Sequence, residues 1–323
     1  MTESLRNKEN LILAEHVLIM FVYIKKTRTM NRLFITLSII ILSLTSCSGG
    51  SRKSEPESGK KFELTEAWRT DTLLLTSESV IYDKKRDVLY VTNLNLEPRL
   101  KDGNGFVSRV STDGEITDLH WVDGMHAPKG TAIVGDTLFV ADIDELIVID
   151  INKGVIARKV PSAGAGMLND ITSDSDGNLY ITDSDANKIL KYSNGNLTDW
   201  LTNGLNLPNG LLAENDRLLL ASMGSMDLVS IDLESKSVTK LADSLGAADG
   251  ISFIGTKDHY IVTDWNGEIF MVNPDKTRTS LLKPKDQQIN TADCEYIAEK
   301  NLLLVPTFFK NSVIAFRLSE KKE

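Results

Sequence analysis

The sequence predicts an all-β fold, a six-bladed β-propeller, on three observations. From residue 62 onward the apolar residues come in runs of four to seven, divided by Gly, Asp and Asn turns, with no capped segment at helical period. The runs repeat: a polar turn motif, an apolar strand, a second strand of the form Leu-Tyr-Ile-Thr-Asp, a third strand and a more polar fourth. Aligning the opening motifs puts Glu78, Lys129, Asn169, Asn209, Asp249 and Asp293 in one register, separated by 51, 40, 40, 40 and 44 residues. Four strands in each unit of roughly 40 residues, six times over, is the sequence pattern of a propeller.

The third copy shows the unit whole, as LNDITSD, NLYITD, NKILKYS and NLTDWLT between residues 168 and 202. The sixth copy stops after three strands, at Leu318, while FELTEAWR at residues 62–69 is a spare strand ahead of the first copy. Pairing that N-terminal strand with the last blade closes the ring and removes the exposed sheet edges. The propeller is therefore expected to occupy residues 62–323.

The N-terminus reads as an address. Residues 33–46, LFITLSIIILSLTS, are an apolar run of 14 residues after Arg28 and Arg32. Such a run is too short to span a bilayer and has the length of a signal-peptide core. It ends in Leu44-Thr45-Ser46-Cys47, which looks like a bacterial lipobox, so Cys47 is the expected lipidation site. Residues 1–46 are then the signal peptide and residues 47–61 the lipidated Cys with a polar, flexible tether. A second apolar stretch within residues 1–29 lies upstream of a complete signal peptide, so Met30 or Met20 is a candidate initiator. The expected product is exported and lipid-anchored, at the outer membrane or another periplasmic face.

Composition excludes several classes. With 36 Lys+Arg against 45 Asp+Glu the net charge is −9, and residues 1–46 hold six of the bases and three of the acids, so the remainder is more acidic still. No basic block stands out, which argues against a nucleic-acid partner. Two cysteines cannot build a disulfide framework or a zinc ribbon. A Ser-His-Asp machine is not expected, because only His120, His126 and His259 follow the signal region and no G-x-S-x-G elbow is present. The DSDG run at 174–177 has Leu179 where a calcium loop needs Gly, so it reads as a hairpin turn.

In a propeller the first strand of each blade lines the central channel, so the six aligned residues should converge at one mouth. Carboxylates crowded there repel, and their proton affinity rises unless a cation lies between them. Carboxylate and amide oxygens are hard ligands, suited first to Ca²⁺, with Mg²⁺, Mn²⁺ or Zn²⁺ as alternatives. The alternative is that the Asn-Gly and Asp-Gly pairs are turn dipeptides and that Lys129 is an internal counterion. The loop 93–105, NLNLEPRLKDGNG, is about ten residues longer than its counterparts and is a candidate lid. Trp265, Phe308, Phe309, Met223 and Met226 fall in equivalent loops and could wall a pocket or simply pack. Asp142, Asp183 and Asp264, ending second strands, are expected to be structural, and Cys294 to be a buried inert thiol.

These residues resemble the calcium-dependent propellers of the gluconolactonase, regucalcin and luciferin-regenerating enzyme group, with paraoxonases as more distant relatives. The resemblance spans residues 62–318: Glu78 in SESVIYD, Asn209 in LPNG and Asp249 in AADG match the family's metal ligands. It implies one divalent cation held by Glu78, Asn169, Asn209 and Asp249. A second, structural Ca²⁺ near Asp170 is implied by the paraoxonase-like version. Two departures stand out: Met167 where sugar-lactone enzymes carry Arg, and Lys129 where paraoxonase-like enzymes carry His. The implied activity is metal-dependent hydrolysis of a small-molecule lactone or related ester by a monomer. Asp249 would be the general base and Lys129 a second catalytic group, with Asp293, Trp265 and Phe308 in contact with substrate. The alternative is a non-catalytic propeller that binds a ligand or protein at the cell envelope.

Overall fold

The computed structural model describes residues 62–256 and 258–321. Residues 1–61, where the signal peptide, the lipidated Cys47 and the tether are expected, lie outside the described residues. Six four-stranded antiparallel sheets form the blades, and the described residues contain a single short 3-10 helix, Pro284–Gln287. The inner strands of blades one to six are Ser77–Asp83, Pro128–Val134, Leu168–Ser173, Pro208–Ala213, Ala248–Phe253 and Glu295–Ile297.

Blade six is completed by the N-terminal strand, as its sequence predicts. Phe62–Arg69 pairs antiparallel with Val313–Glu320, from Phe62 opposite Glu320 to Arg69 opposite Ile314, with one bulge between Glu66 and Trp68. Six of the seven apolar clusters of the core each lie between two neighbouring blades, and the seventh gathers Leu94, Ala127, Ile143, Ala292 and Phe308. One of the six joins Val80, Leu89 and Val91 of blade one to Leu304, Val313 and Ala315 of blade six. The seam is therefore packed like every other blade junction, so the ring has no free edge at that point.

A repeated irregularity sets the geometry of the channel. In blades one to five the register between first and second strands shifts after the first pair, at Ser77/Val80, Pro128/Thr131, Leu168/Ile171, Pro208/Leu211 and Ala248/Ile251. The aligned residues Glu78, Lys129, Asn169, Asn209 and Asp249 each open such a bulge, which re-aims a side chain away from the regular pleat. In three blades the Thr of the second strand caps the bulge: Thr92, Thr182 and Thr263 accept the backbone N–H of Ser79, Asp170 and Gly250, at 2.9, 2.9 and 2.8 Å.

Two glycines let neighbouring inner strands approach closely. A methyl group on Gly210 would lie 1.9 Å from the Asp249 carbonyl oxygen, and one on Gly130 would lie 2.4 Å from the Asp170 carboxylate. Both obstacles belong to the next blade, so neither can relax without moving the ring. We expect Gly210→Ala to cost about 3 kcal/mol of stability through overpacking. Urea unfolding of the variant checks this, and an unchanged midpoint would contradict it.

Candidate metal centre at the channel mouth

Because each inner strand starts at the same end of the ring, the bulges of blades one to five meet around one mouth. Glu78, Lys129, Asn169, Asn209 and Asp249 are all buried there, at 6% exposure or less. The turns after the second strands hang directly over them. The N–H of Leu94 donates to the Thr76 carbonyl, Ser184 to Met167, Met223 to Leu207 and Trp265 to Ala247, each acceptor two residues before a site residue.

Two atoms in this set have no partner: Glu78 Oε2 and Asn169 Oδ1 are buried and accept no hydrogen bond. A buried acceptor left unmatched costs on the order of 1–3 kcal/mol, so such pairs of atoms in one place call for an explanation. Asn169 is aimed by its amide, whose Nδ2 donates to Ser184 Oγ at 3.0 Å and leaves the oxygen free.

The electrostatics are those of uncompensated acid. Burial, then Asp293, pushes the Glu78 carboxyl up to about 8, with Lys129 pulling the other way. Asp249 is raised well above the carboxylate range by burial and by Glu78, Asp293 and Asp170. Asp170 is raised by burial and Asp293, against the N–H groups of Leu211 and Ile171 that hold its oxygens. Asp293 is raised to about 6 by burial, opposed by Ser79 and the N–H of Cys294. Four carboxylates thus share one electrostatic environment.

Not every aligned residue faces the mouth. Asp293 is half-buried and turned inward: its oxygens accept from Ser79 Oγ at 2.8 Å and from the Cys294 N–H at 2.7 Å. With Ser79, Thr131, Asp170, Cys294 and Glu295 it lines a cavity of about 370 Å³ that runs along the inner strands toward the opposite face. Lys129 is aligned with the ligand set, yet its Nζ donates to the Pro98 and Ala127 carbonyls, both at 2.9 Å. Burial lowers it to about 8, resisted by Glu78 and Asp142. Its contact with Pro98 ties down the long loop of blade one, which is further held by Arg99 to Asp185, Lys101 to Asp144 and the Gly103 N–H to His126 Nδ1.

The aromatic residues form one group, Trp265 to Phe308 at 5.7 Å and Phe308 to Phe309 at 4.7 Å between ring centroids, edge to face. Phe308 is buried against Leu94, Ala127, Ile143 and Ala292, Trp265 is half-buried, and Phe309 is exposed. The second-strand acids are structural, as expected: Asp142 accepts the N–H groups of His126 and Ala127, Asp183 those of Gly166 and Met167, and Asp264 that of Ala247. Among the described residues no group of three or more His, Cys, Asp or Glu could hold a metal ion. The mouth set has two carboxylates, Glu78 and Asp249, with two carboxamides, Asn169 and Asn209. Orphaned carboxylate and carboxamide oxygens are nonetheless the donor chemistry that a hard divalent cation takes.

No family model matches the chain, and no curated protein is similar to it in sequence. Solved structures are similar in fold. A catalytically inactive variant of virginiamycin B lyase from Staphylococcus aureus, solved with quinupristin, superposes with TM-score 0.57 at 14% identity, over 80% of this chain and 99% of that one. A chain of a nidogen/laminin complex gives TM-score 0.58 at 19% identity, over 69% of this chain and 85% of that one. At these identities the likeness establishes the propeller fold and nothing finer.

One consequence concerns Glu295, half-buried in the cavity wall. Burial raises its carboxyl from 4.5 to about 8. Between those values the folded state holds a proton that the unfolded chain has released, so this group's contribution to stability falls as pH rises from about 4.5 to about 8. Glu295→Gln removes the effect, so the variant should gain stability relative to wild type across that window. Thermal midpoints that stay in constant difference from low to high pH would contradict the assignment.

Proposed function

We propose that the chain is a metal-dependent hydrolase of lactones or related esters, with one divalent cation, Ca²⁺ first, at the channel mouth. The observation that carries this reading is the pair of orphaned oxygens, Glu78 Oε2 and Asn169 Oδ1, beside buried carboxylates with no adequate counterion. The same positions carry the resemblance to the gluconolactonase and regucalcin group. Glu78, Asn169, Asn209 and Asp249 would hold the ion. A bound cation would supply Lewis-acid polarisation of the substrate carbonyl and favour the oxyanion that develops.

The chain's own residues provide the rest. Asp249 would take a proton from water as the water oxygen bonds to the acyl carbon. The C–O bond of the ester or lactone then breaks, and the proton passes to the leaving oxygen, giving an acid and an alcohol or one hydroxy acid. Lys129 would act on the lid, since its Nζ already holds the Pro98 carbonyl. That commitment, with Met167 at the edge of the mouth, is what favours the second reading, a propeller that binds a ligand or protein without turnover.

Glu78→Gln and Asp249→Asn should each abolish stoichiometric cation binding and all hydrolysis while the fold stays intact. Metal analysis of the dialysed proteins, with aldonolactones, acyl-homoserine lactones and aryl esters assayed before and after EDTA, checks this. Retained metal in both variants sinks the site, and no turnover under any metal, together with tight binding of an envelope component, favours the binding module. The location proposed is the bacterial envelope, through acylation of Cys47. Fractionated cells should show the chain in the membrane and Cys47→Ala in the soluble fraction; identical partition would overturn the anchor.

A further inference from the structure

The first residue after each second strand starts a turn over the mouth, and its chemistry varies in a way the fold does not require. From blade one to blade six it is Leu94, Ile143, Ser184, Met223, Trp265 and Thr307. Four of these six are apolar. Thr307 keeps its hydroxyl inside its own turn, on the Ser312 carbonyl at 2.7 Å and the Ser312 hydroxyl at 2.9 Å. Ser184 differs from the other five: its hydroxyl meets the aligned inner-strand residue of its own blade, Asn169.

The two hydrogen bonds of that hydroxyl decide which way the Asn169 amide points. Ser184 is buried, at 4% exposure, so its partners come from the protein. A hydroxyl has one proton, and this one goes to the Pro208 carbonyl at 2.6 Å. Toward Asn169 the Ser184 oxygen therefore offers a lone pair, which can only accept. The amide must present Nδ2 to it, at 3.0 Å, and Oδ1 is turned the other way, to the buried place where it has no partner. A reversed amide would set oxygen lone pair against oxygen lone pair. The orphaned acceptor at the mouth is thus imposed by Ser184.

The same hydroxyl reaches across a blade junction. Pro208 precedes Asn209 at the start of the inner strand of blade four, and Thr182, two residues before Ser184, donates to the Asn209 carbonyl at 2.9 Å. Ser184 is itself tied down, its N–H donating to the Met167 carbonyl at 2.9 Å. It cannot follow a swinging amide. In blade four the equivalent position belongs to Met223, whose thioether is a weak acceptor, so Asn209 is not aimed in this way.

We infer that Ser184 is a positioning residue of the mouth: it fixes the Asn169 amide with Oδ1 presented to the cation, and it acts on cation binding through Asn169. The word cation rests on the metal-dependent reading above; the orientation of the amide does not. Loss of a group that orients a metal ligand typically lowers metal affinity 10- to 100-fold. Once Asn169 is gone, Ser184 has nothing left to orient, so the two losses should not add.

The experiment has two arms. In the first, Mn²⁺ is titrated into the dialysed chain and the free ion is followed by electron paramagnetic resonance, for wild type, Ser184→Ala, Asn169→Ala and the double variant. Ser184→Ala should raise the Kd at least about tenfold. The double variant should match Asn169→Ala within about twofold. Circular dichroism of each variant confirms that it folds. The second arm needs neither metal nor variant: hydrogen exchange of the Asn169 side-chain amide, read by NMR in the metal-free wild type. The proton given to Ser184 should exchange at least about tenfold more slowly than those of exposed Asn194. Equal Kd values for wild type and Ser184→Ala, or a Ser184→Ala loss that persists in the Asn169→Ala background, overturn the inference and leave the metal reading standing. An Asn169 amide that exchanges as fast as Asn194 also overturns it. A slow Asn169 amide in a chain that binds no Mn²⁺ does the reverse, upholding the orientation and sinking the metal.

Discussion

Mutual repulsion among Glu78, Asp170, Asp249 and Asp293 is the constraint around which the rest is arranged. Each carboxyl is raised by burial, and three of the four are raised further by at least one other member of the set. A propeller with no ligand would gain by replacing one of them with an apolar residue, since buried charge without a partner is costly. The ring instead offers three of the four a partial remedy and Asp249 none that lowers its proton affinity. Asp170 takes two backbone N–H groups, Asp293 a hydroxyl and an N–H, and Glu78 the field of Lys129, but Glu78 Oε2 is left with nothing. The shortage falls on the mouth residues, not on those deeper in the channel.

The scaffold explains why these side chains cannot move apart. The inner-strand bulge turns each first-strand residue toward the axis, and the Thr of the second strand fixes the bulge. Thr182 also donates to the Asn209 carbonyl at 2.9 Å, so one blade's cap holds the next blade's site residue. The glycines allow the strands to sit close, and the strand Phe62–Arg69 closes the circle. Rigid placement on strands is what a binding constellation requires, and the adjustable parts, the lid and the rim, are left to loops.

The repeats made most of this legible. The register of Glu78, Lys129, Asn169, Asn209 and Asp249 follows from spacing alone, because one bulge recurs at one position in each blade. The closing strand was legible for the same reason, as a unit missing from one end and present at the other. Side-chain direction was not. Asp293 keeps the register but turns to Ser79, a partner 214 residues away, and no local pattern announces that. Lys129 reads as a site residue until Pro98 of the lid comes within reach of its Nζ. Asp170 was read only through resemblance, as a place for a second ion, whereas its coupling to Asp249 and Asp293 needs the blades to be brought together. The Thr caps had a signal, the Thr-Asn of blade one and the Thr-Asp of blades three and five at the end of second strands, of which only the Asp carries a role in the sequence reading.

The central claim is that a hard cation resolves the crowding at the mouth. An anomalous difference map from crystals soaked in Mn²⁺ tests it most directly, since it reports position without reliance on any substrate. The account predicts one strong peak on the channel axis, within coordination distance of the Glu78 and Asp249 carboxylates and the Asn169 and Asn209 amide oxygens. A map with no peak there, or with its peak in the lower cavity between Asp170 and Asp293, would contradict it.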